Sequence, residues 1–251
     1  MAMDTSPPII ELIGAPGSGK TTLVRQLSRA STLRPRPESA STAKAKILAR
    51  EIRRKSRLAA LGYTAACTIP SLRYILAEQL TPSSAWRALA DRSEDLIPVI
   101  EHTHRELGPL RGDATQIARR TQLLYRACLD VALIQTRQYH SPAGPVLCDE
   151  SITQASIALA LHHPDPKNYL DQYLAIRNQA PSNPLRIIHC HVDTDTATQR
   201  IQNRKQPLHD HTSNMASYIE LADHIAKSTE GATIQGPTLV ENIERDLQTL
   251  L

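Results

Sequence analysis

The chain has 251 residues, 41% of them hydrophobic and 22% charged, with a formal net charge of +4. That is enough apolar matter for one substantial core or two small domains, and it argues against a disordered segment. No run approaches 18 uninterrupted apolar positions, so no membrane partner is expected. Phenylalanine is absent and aromatics reach only 3%. A surface that stacks single-stranded bases on aromatic rings would have few residues to build it, and no nucleic-acid partner is expected. Residues 1–8 carry neither a basic stretch nor an apolar secretory segment, which makes the cytoplasm the expected location. Cys67, Cys128, Cys148 and Cys190 are scattered without C-x-x-C spacing, as reduced, buried small hydrophobes would be. Of the 29 positive side chains 22 are arginine, whose planar fork pairs with phosphate oxygens two at a time. The basic run Arg50 to Arg57 reads as a solvated helix face rather than a polyanion contact.

In chain order, Pro7 to Gly14 is a short apolar stretch ending at a glycine, the pattern of a strand buried on both faces of a parallel sheet. Thr21 to Ala30 follows with Leu23, Val24 and Leu27 at helical spacing. Ser31 to Ser41 contains two prolines and several turn-formers, and predicts a loop or an edge strand. From Ala43 to about Gln138 the composition is helical, and Ile117, Thr121, Leu124, Cys128 and Val131 form one stripe. Breaks are expected at Pro70, at Thr81-Pro82, at Pro98 and between Gly108 and Gly112. Val146 to Cys148 is a second buried strand, a helix is expected near Tyr169 to Arg177, and Leu185 to Val192 is a third strand. Strands alternating with helices imply parallel pairing. The whole of 1–251 therefore reads as one α/β domain, a parallel sheet flanked by helices, with 43–140 a large helical insertion on the acceptor side.

Gly14-Ala15-Pro16-Gly17-Ser18-Gly19-Lys20-Thr21 satisfies G-x-x-x-x-G-K-[ST], the Walker A pattern, with a strand before it and a helix after. Three of the nine glycines fall inside these eight positions. Glycines let the backbone turn tightly and aim its N–H groups inward, and the helix that follows offers the positive end of its dipole to the same anion. ATP fits such a loop as cofactor: Lys20 would reach the β- and γ-phosphates, Thr21 would ligate Mg²⁺, and Thr22 closes the loop. Asp149-Glu150 follows an apolar strand, where parallel sheets place functional groups. Asp149 is a candidate Mg²⁺ ligand, and Glu150 a candidate to orient or deprotonate an attacking hydroxyl or water. An acidic pair capping the next helix is the plainer alternative. Val192 to Arg204 supplies a strand end, a helix-starting Asp/Thr cluster at Asp193 to Thr196, and Arg200 and Arg204 at i and i+4 on one helix face. Such a pair could neutralise a transferring phosphoryl group; a solvated face is the alternative.

The loop Gly14 to Thr22, the strand-end Asp149-Glu150 and the Arg200-Ile201-x-x-Arg204 stretch together resemble the P-loop small-molecule kinases, especially the thymidylate kinase and deoxynucleoside kinase group. The likeness covers roughly the first 30 and last 110 residues. It implies a P-loop NTPase fold and a lid that begins near Arg200 and Arg204 and closes on the nucleotide. It also implies that Glu38 touches the acceptor, where the residues alone suggest a solvated loop glutamate. The chain departs from the group in carrying Asp149-Glu150-Ser151 where those families place Asp-Arg or Glu-Arg, so a nucleoside acceptor is not carried over.

His189 and His191 alternate along one strand and share a face, and His209 and His211 flank Asp210 with the same spacing. Two ligands do not complete a metal site, and core or edge histidines are expected. His102 and His104, two apart on a helix, diverge. Tyr63, Tyr74, Tyr125 and Tyr139 are expected in the core more than in an acceptor pocket. The expected activity is transfer of the ATP γ-phosphoryl group to a small-molecule acceptor, with a homodimer allowed. The alternative is a nucleotide-dependent regulatory ATPase or switch that binds a protein partner through its helical block.

Overall fold

The computed structural model describes residues 8–69, 76, 83–91, 93–135, 144–180, 185–203, 214–229 and 232–235. Among the described residues, five parallel strands form one sheet: β1 (Ile9–Ile13), β2 (Glu38–Ser39), β3 (Val146–Cys148), β4 (Ile187–His191) and β5 (Ala232–Gln235), in the order β2-β3-β1-β4-β5. Registers are Ile10 opposite Leu147, Leu12 opposite Ile188 and His189 opposite Thr233. β1 and β3 are buried throughout, as strands covered on both faces must be.

The helices are α1 (Lys20–Ala30), α2 (Ala40–Lys55), α3 (Arg57–Cys67), α4 (Ser83–Asp91), α5 (Ser93–Glu106), α6 (Ala114–Ile134), α7 (Ile152–Ala160), α8 (Pro166–Asn178), α9 (Thr194–Gln202) and α10 (Met215–Ser228). Several are started by short polar side chains that accept a first-turn amide. Asp113 accepts from Thr115 N at 2.8 Å, Ser151 from Gln154 N at 3.1 Å and Asp193 from Thr196 N at 2.8 Å. None of the helices among the described residues is long and apolar enough to cross a membrane.

The side-chain alternation of the strands divides the core in two. Ile10, Leu12, Leu147, Ile188 and Cys190 meet Leu23, Val24 and Leu27 of α1 on one face. Ile9, Ile13, Val146 and Ile187 meet α6, α7, α8 and α10 on the other, in a cluster that continues through α2, α4 and α5. Of the expected stripe of α6, Leu124, Cys128 and Val131 belong to this second core, with Leu124 and Cys128 fully buried. At the centre of this face lies Glu11, 1% exposed. Its Oε1 accepts from Arg177 Nη2 at 2.8 Å and its Oε2 from Thr153 N at 2.9 Å. Neither charge stood out in the sequence, where Glu11 is one acid inside an apolar run.

Several sequence expectations change. Pro98 lies inside α5 rather than ending it. The missing N–H costs one ladder bond and the ring crowds the preceding turn, while Leu96 and Val99 on either side are fully buried and hold the helix to the core. The break between Gly108 and Gly112 is present, between α5 and α6. Pro70 and Thr81-Pro82 lie outside the described residues. The Ser31 to Ser41 segment contributes the two-residue edge strand β2 and the start of α2. The helix α10 and the strand β5 had no counterpart among the sequence expectations, while α7 is the helix expected directly after Asp149-Glu150. Cys128, Cys148 and Cys190 are buried free thiols and Cys67 is half-buried; burial pushes the Cys128 thiol up to about 12.

Candidate functional site

The segment Gly14 to Gly19 joins the carboxyl end of β1 to α1, and its three glycines adopt φ of +142°, +85° and +95°. Two of them also admit close approach. A side chain at Gly14 would run into the Cys190 carbonyl oxygen at the end of β4, and one at Gly17 would lie 2.8 Å from the Ala197 carbonyl oxygen of α9. The path of the loop is therefore dictated by backbone on two sides. Gln154 of α7 holds its entrance: Gly14 N donates to Gln154 Oε1 and Gln154 Nε2 donates to Gly14 O, both at 3.1 Å. The Tyr218 hydroxyl of α10 is hydrogen-bonded to the Gln154 side chain and donates to the Gln154 carbonyl at 3.2 Å, so three elements fix one amide group. The N-cap of α1 is Gly19, which brings no capping side chain. The positive end of the helix dipole is thus left facing the loop's concavity.

Lys20 curls back over this loop, with Nζ donating to Gly14 O at 2.6 Å and Ala15 O at 3.1 Å. Thr21 Oγ1 donates to Asp149 Oδ2 at 2.7 Å, which ties the first turn of α1 to the end of β3, the neighbouring strand. α1 leaves β1 on one face of the sheet and α7, which follows β3, packs on the other. The loops after β1 and β3 thus part to opposite sides, and parallel sheets bind ligands in that crevice. A cavity of about 340 Å³ opens here, within the range of small-molecule sites. Pro16, Gly17, Gly19, Lys20, Thr21 and Thr22 line it on one side, together with Asp149 and Glu150.

Its far wall comes from the helical middle. Lys44 of α2 is buried and its Nζ lies 2.6 Å from Asp130 Oδ1 of α6. Arg120 and Arg126 of α6 line the same space. No carboxylate pairs with Arg120 among the described residues, and burial lowers the pKa of its guanidinium from the ordinary value. A half-buried cation in that position is stabilised by an incoming anion.

Of the residues singled out in the sequence, Gly14, Ala15, Pro16, Gly17, Ser18, Gly19, Lys20, Thr21, Thr22, Asp149 and Glu150 are brought to one end of the sheet. Arg200 also reaches it, by another route: Nη1 donates to Gly17 O at 3.2 Å, so this side chain braces the loop backbone. The shared helix face expected for Arg200 and Arg204 lies partly outside the described residues. α9 ends at Gln202, with Asn203 as C-cap and its N–H bonded to Gln199 O. Arg204 lies outside the described residues, as do His209, Asp210, His211, Tyr74 and Tyr139. Glu38 begins β2, is half-buried and ion-paired with Lys46, and is not among the residues that line the cavity. Tyr63 is buried in α3 and Tyr125 packs against the second core, so neither lines this cavity. His102 is buried and His104 exposed, as their spacing requires.

Gln154, Tyr218, Lys44, Asp130, Arg120 and Arg126 went unread. A signal existed for the last two, since Arg120 and Arg126 sit on either side of the Thr121 and Leu124 stripe of a legible helix. No protein-family model matches the chain, and no curated protein matches it.

Proposed function

We propose that the protein is a P-loop phosphotransferase that moves the γ-phosphoryl group of ATP to a small-molecule hydroxyl or phosphate. The observation that carries this reading is the Thr21 to Asp149 hydrogen bond of 2.7 Å beside a glycine loop whose lysine folds over its own carbonyls. Together they gather a backbone cradle, a cation and two hard oxygens at one crevice. The amides at the α1 end of the loop and the α1 dipole would take the β- and γ-phosphates, while Gly14 N stays with Gln154, and Lys20 would transfer its hydrogen bonds from Gly14 O and Ala15 O to phosphate oxygens. Thr21 and Asp149 fit Mg²⁺, which binds through oxygen. When bound, that ion neutralises charge on the phosphate oxygens.

In the transfer, an acceptor oxygen bonds to the γ-phosphorus as the bond to the β,γ-bridging oxygen breaks. ADP leaves with that electron pair, and a hydroxyl acceptor gives its proton to a carboxylate, Glu150 or Asp149. The resembling kinases place an Asp-Arg or Glu-Arg pair where this chain has Asp149-Glu150-Ser151 and so lacks that arginine; here Ser151 caps α7. Arg120 and Arg126, on the far wall, would supply that positive charge from a different helix. Arg200 keeps Gly17 in place and so acts on the loop rather than from a lid.

A second reading, a nucleotide-dependent switch, is favoured by Leu58 and Leu61 on α3. They are 82% and 68% exposed, one helical turn apart, on a surface that a protein partner could cover. One experiment separates the two. Purified chain is incubated with Mg·ATP and a panel of nucleosides, nucleotides, sugars and other hydroxyl compounds, and products are read by mass. A phosphorylated acceptor with wild-type chain, reduced by about 10²–10³-fold or more in a folded Lys20→Ala variant, supports the transferase. ATP hydrolysis without any acceptor product supports the switch. Full transfer by Lys20→Ala would overturn the assignment.

A further inference from the structure

His189 and His191 lie two apart on β4 and project to the face covered by α10. That helix brings Asp223 against both of them. Asp223 Oδ1 is 3.4 Å from His189 Nε2 and 3.1 Å from His191 Nδ1, and one donor atom from each of the three residues lies within 4.8 Å of the other two. His189 is buried, while His191 and Asp223 are half-buried. An ion held by bonds of about 2.0–2.1 Å in a tetrahedron has its ligands roughly 3.3 Å apart, and the two nitrogen-to-oxygen separations of 3.1 and 3.4 Å bracket that value. A pair of histidines donating separately to a carboxylate would have both of its oxygens to choose from. Here His191 is hydrogen-bonded to the same oxygen that lies nearest His189, and the three possible ligand atoms are gathered within 4.8 Å of one another.

From this convergence we infer that His189, His191 and Asp223 form a second metal site, one for a borderline transition-metal ion such as Zn²⁺. Two imidazoles and one carboxylate suit zinc and its neighbours, whereas magnesium selects oxygen. The chain therefore carries two chemically distinct ion sites, an oxygen pair at Thr21 and Asp149 and a nitrogen-rich one on β4. Three protein ligands leave a fourth position open to water or a small ligand.

The placement gives the ion a mechanical role. His189 pairs in register with Ile13, the residue before Gly14, and the carbonyl of Cys190, between the two histidines, is what Gly14 packs against. β4 then leads through Val192 to Asp193 and α9, whose Ala197 and Arg200 press on Gly17. A metal joining β4 to α10 would hold the frame on which the glycine loop rests.

The site does not depend on the phosphotransferase reading and is tested without it. Tag-free full-length chain is stripped with a chelator and dialysed, then titrated with ZnCl₂ by calorimetry, with bound metal counted by mass spectrometry and melting followed in parallel. One zinc per chain, a melting temperature raised by several degrees, and at least about a hundredfold weaker binding in both His191→Ala and Asp223→Asn are expected. His191 is half-buried, so the variant should fold; its metal-free melting temperature checks this. As a measurement free of mutation, Co²⁺ added to the stripped wild-type chain should give the visible absorption bands of a four-coordinate nitrogen and oxygen site. No uptake of zinc near one equivalent, or uptake unchanged in the two variants, would overturn the site, as would a cobalt spectrum of the fully hydrated ion.

Discussion

Two clusters of charge occupy the same sheet and behave oppositely. Glu11 and Arg177 sit in the middle of it, each 1% exposed, and the carboxylate is satisfied by Arg177 and by the Thr153 amide. Lys20, Thr21 and Asp149 sit at its carboxyl edge on a cavity wall, bonded to carbonyls and to one another. The first cluster is closed: with water excluded, each charge needs the other, and neither can be given to a ligand. The second is open, because a lysine resting on backbone carbonyls can exchange them for phosphate oxygens at little cost. Residue type alone does not tell a sealed ion pair from charges left on a cavity wall; closure does.

That contrast can be broken in three places. The largest effect is expected from Glu11→Ala or Arg177→Met. Either single change strands a buried charge and should cost about 3–5 kcal/mol in denaturant unfolding, whereas the double replacement Glu11→Leu with Arg177→Met should recover much of the loss. A single-variant cost under about 1 kcal/mol would mean that the pair is not sealed. Next, Asp149→Asn at the open cluster should leave the unfolding midpoint near that of wild type. It should slow phosphoryl transfer about 10²–10³-fold, or about 2.7–4 kcal/mol in the barrier; a large loss of stability with unchanged turnover would invert the comparison.

The smallest effect sharpens the meaning of closure. His102 is 1% exposed, its ring 4.9 Å from that of Tyr169, and its Nε2 has no hydrogen-bond partner. Burial therefore lowers its pKa from the ordinary 6.5. His162 is lowered for the same reason, with Arg120 adding to it. Below pH 6.5 the unfolded chain takes up these protons before the folded one does, so stability is full above 6.5 and falls as the pH drops toward the folded-state values. Melting temperature measured from pH 7.5 to 5.5 should decline, and His102→Leu should flatten that slope. An unchanged slope would place the pH dependence elsewhere.

Much of this molecule was legible one residue at a time. The strands β1, β3 and β4 are apolar runs, α1 and α6 show helical stripes, and the glycine loop is a local pattern whose geometry follows from positive φ and a lysine at a fixed offset. The wall opposite the loop was not legible. Lys44, Asp130 and Arg120 are far from Gly14 in the chain and carry no spacing that links them to it. Pro98 was misread because local propensity competes with burial, and here burial of Leu96 and Val99 prevails.

The amino-acid order by itself determined the parallel α/β plan and the glycine-rich turn after β1, because both rest on hydrophobic periodicity and on backbone freedom, which are properties of neighbours in sequence. Only the tertiary structure decided which charges are closed and which open. It alone set Asp223 beside His189 and His191 and turned Arg200 onto Gly17. Such partnerships depend on which helix lands on which strand, and that is settled by the packing of whole faces rather than by any single residue's preference.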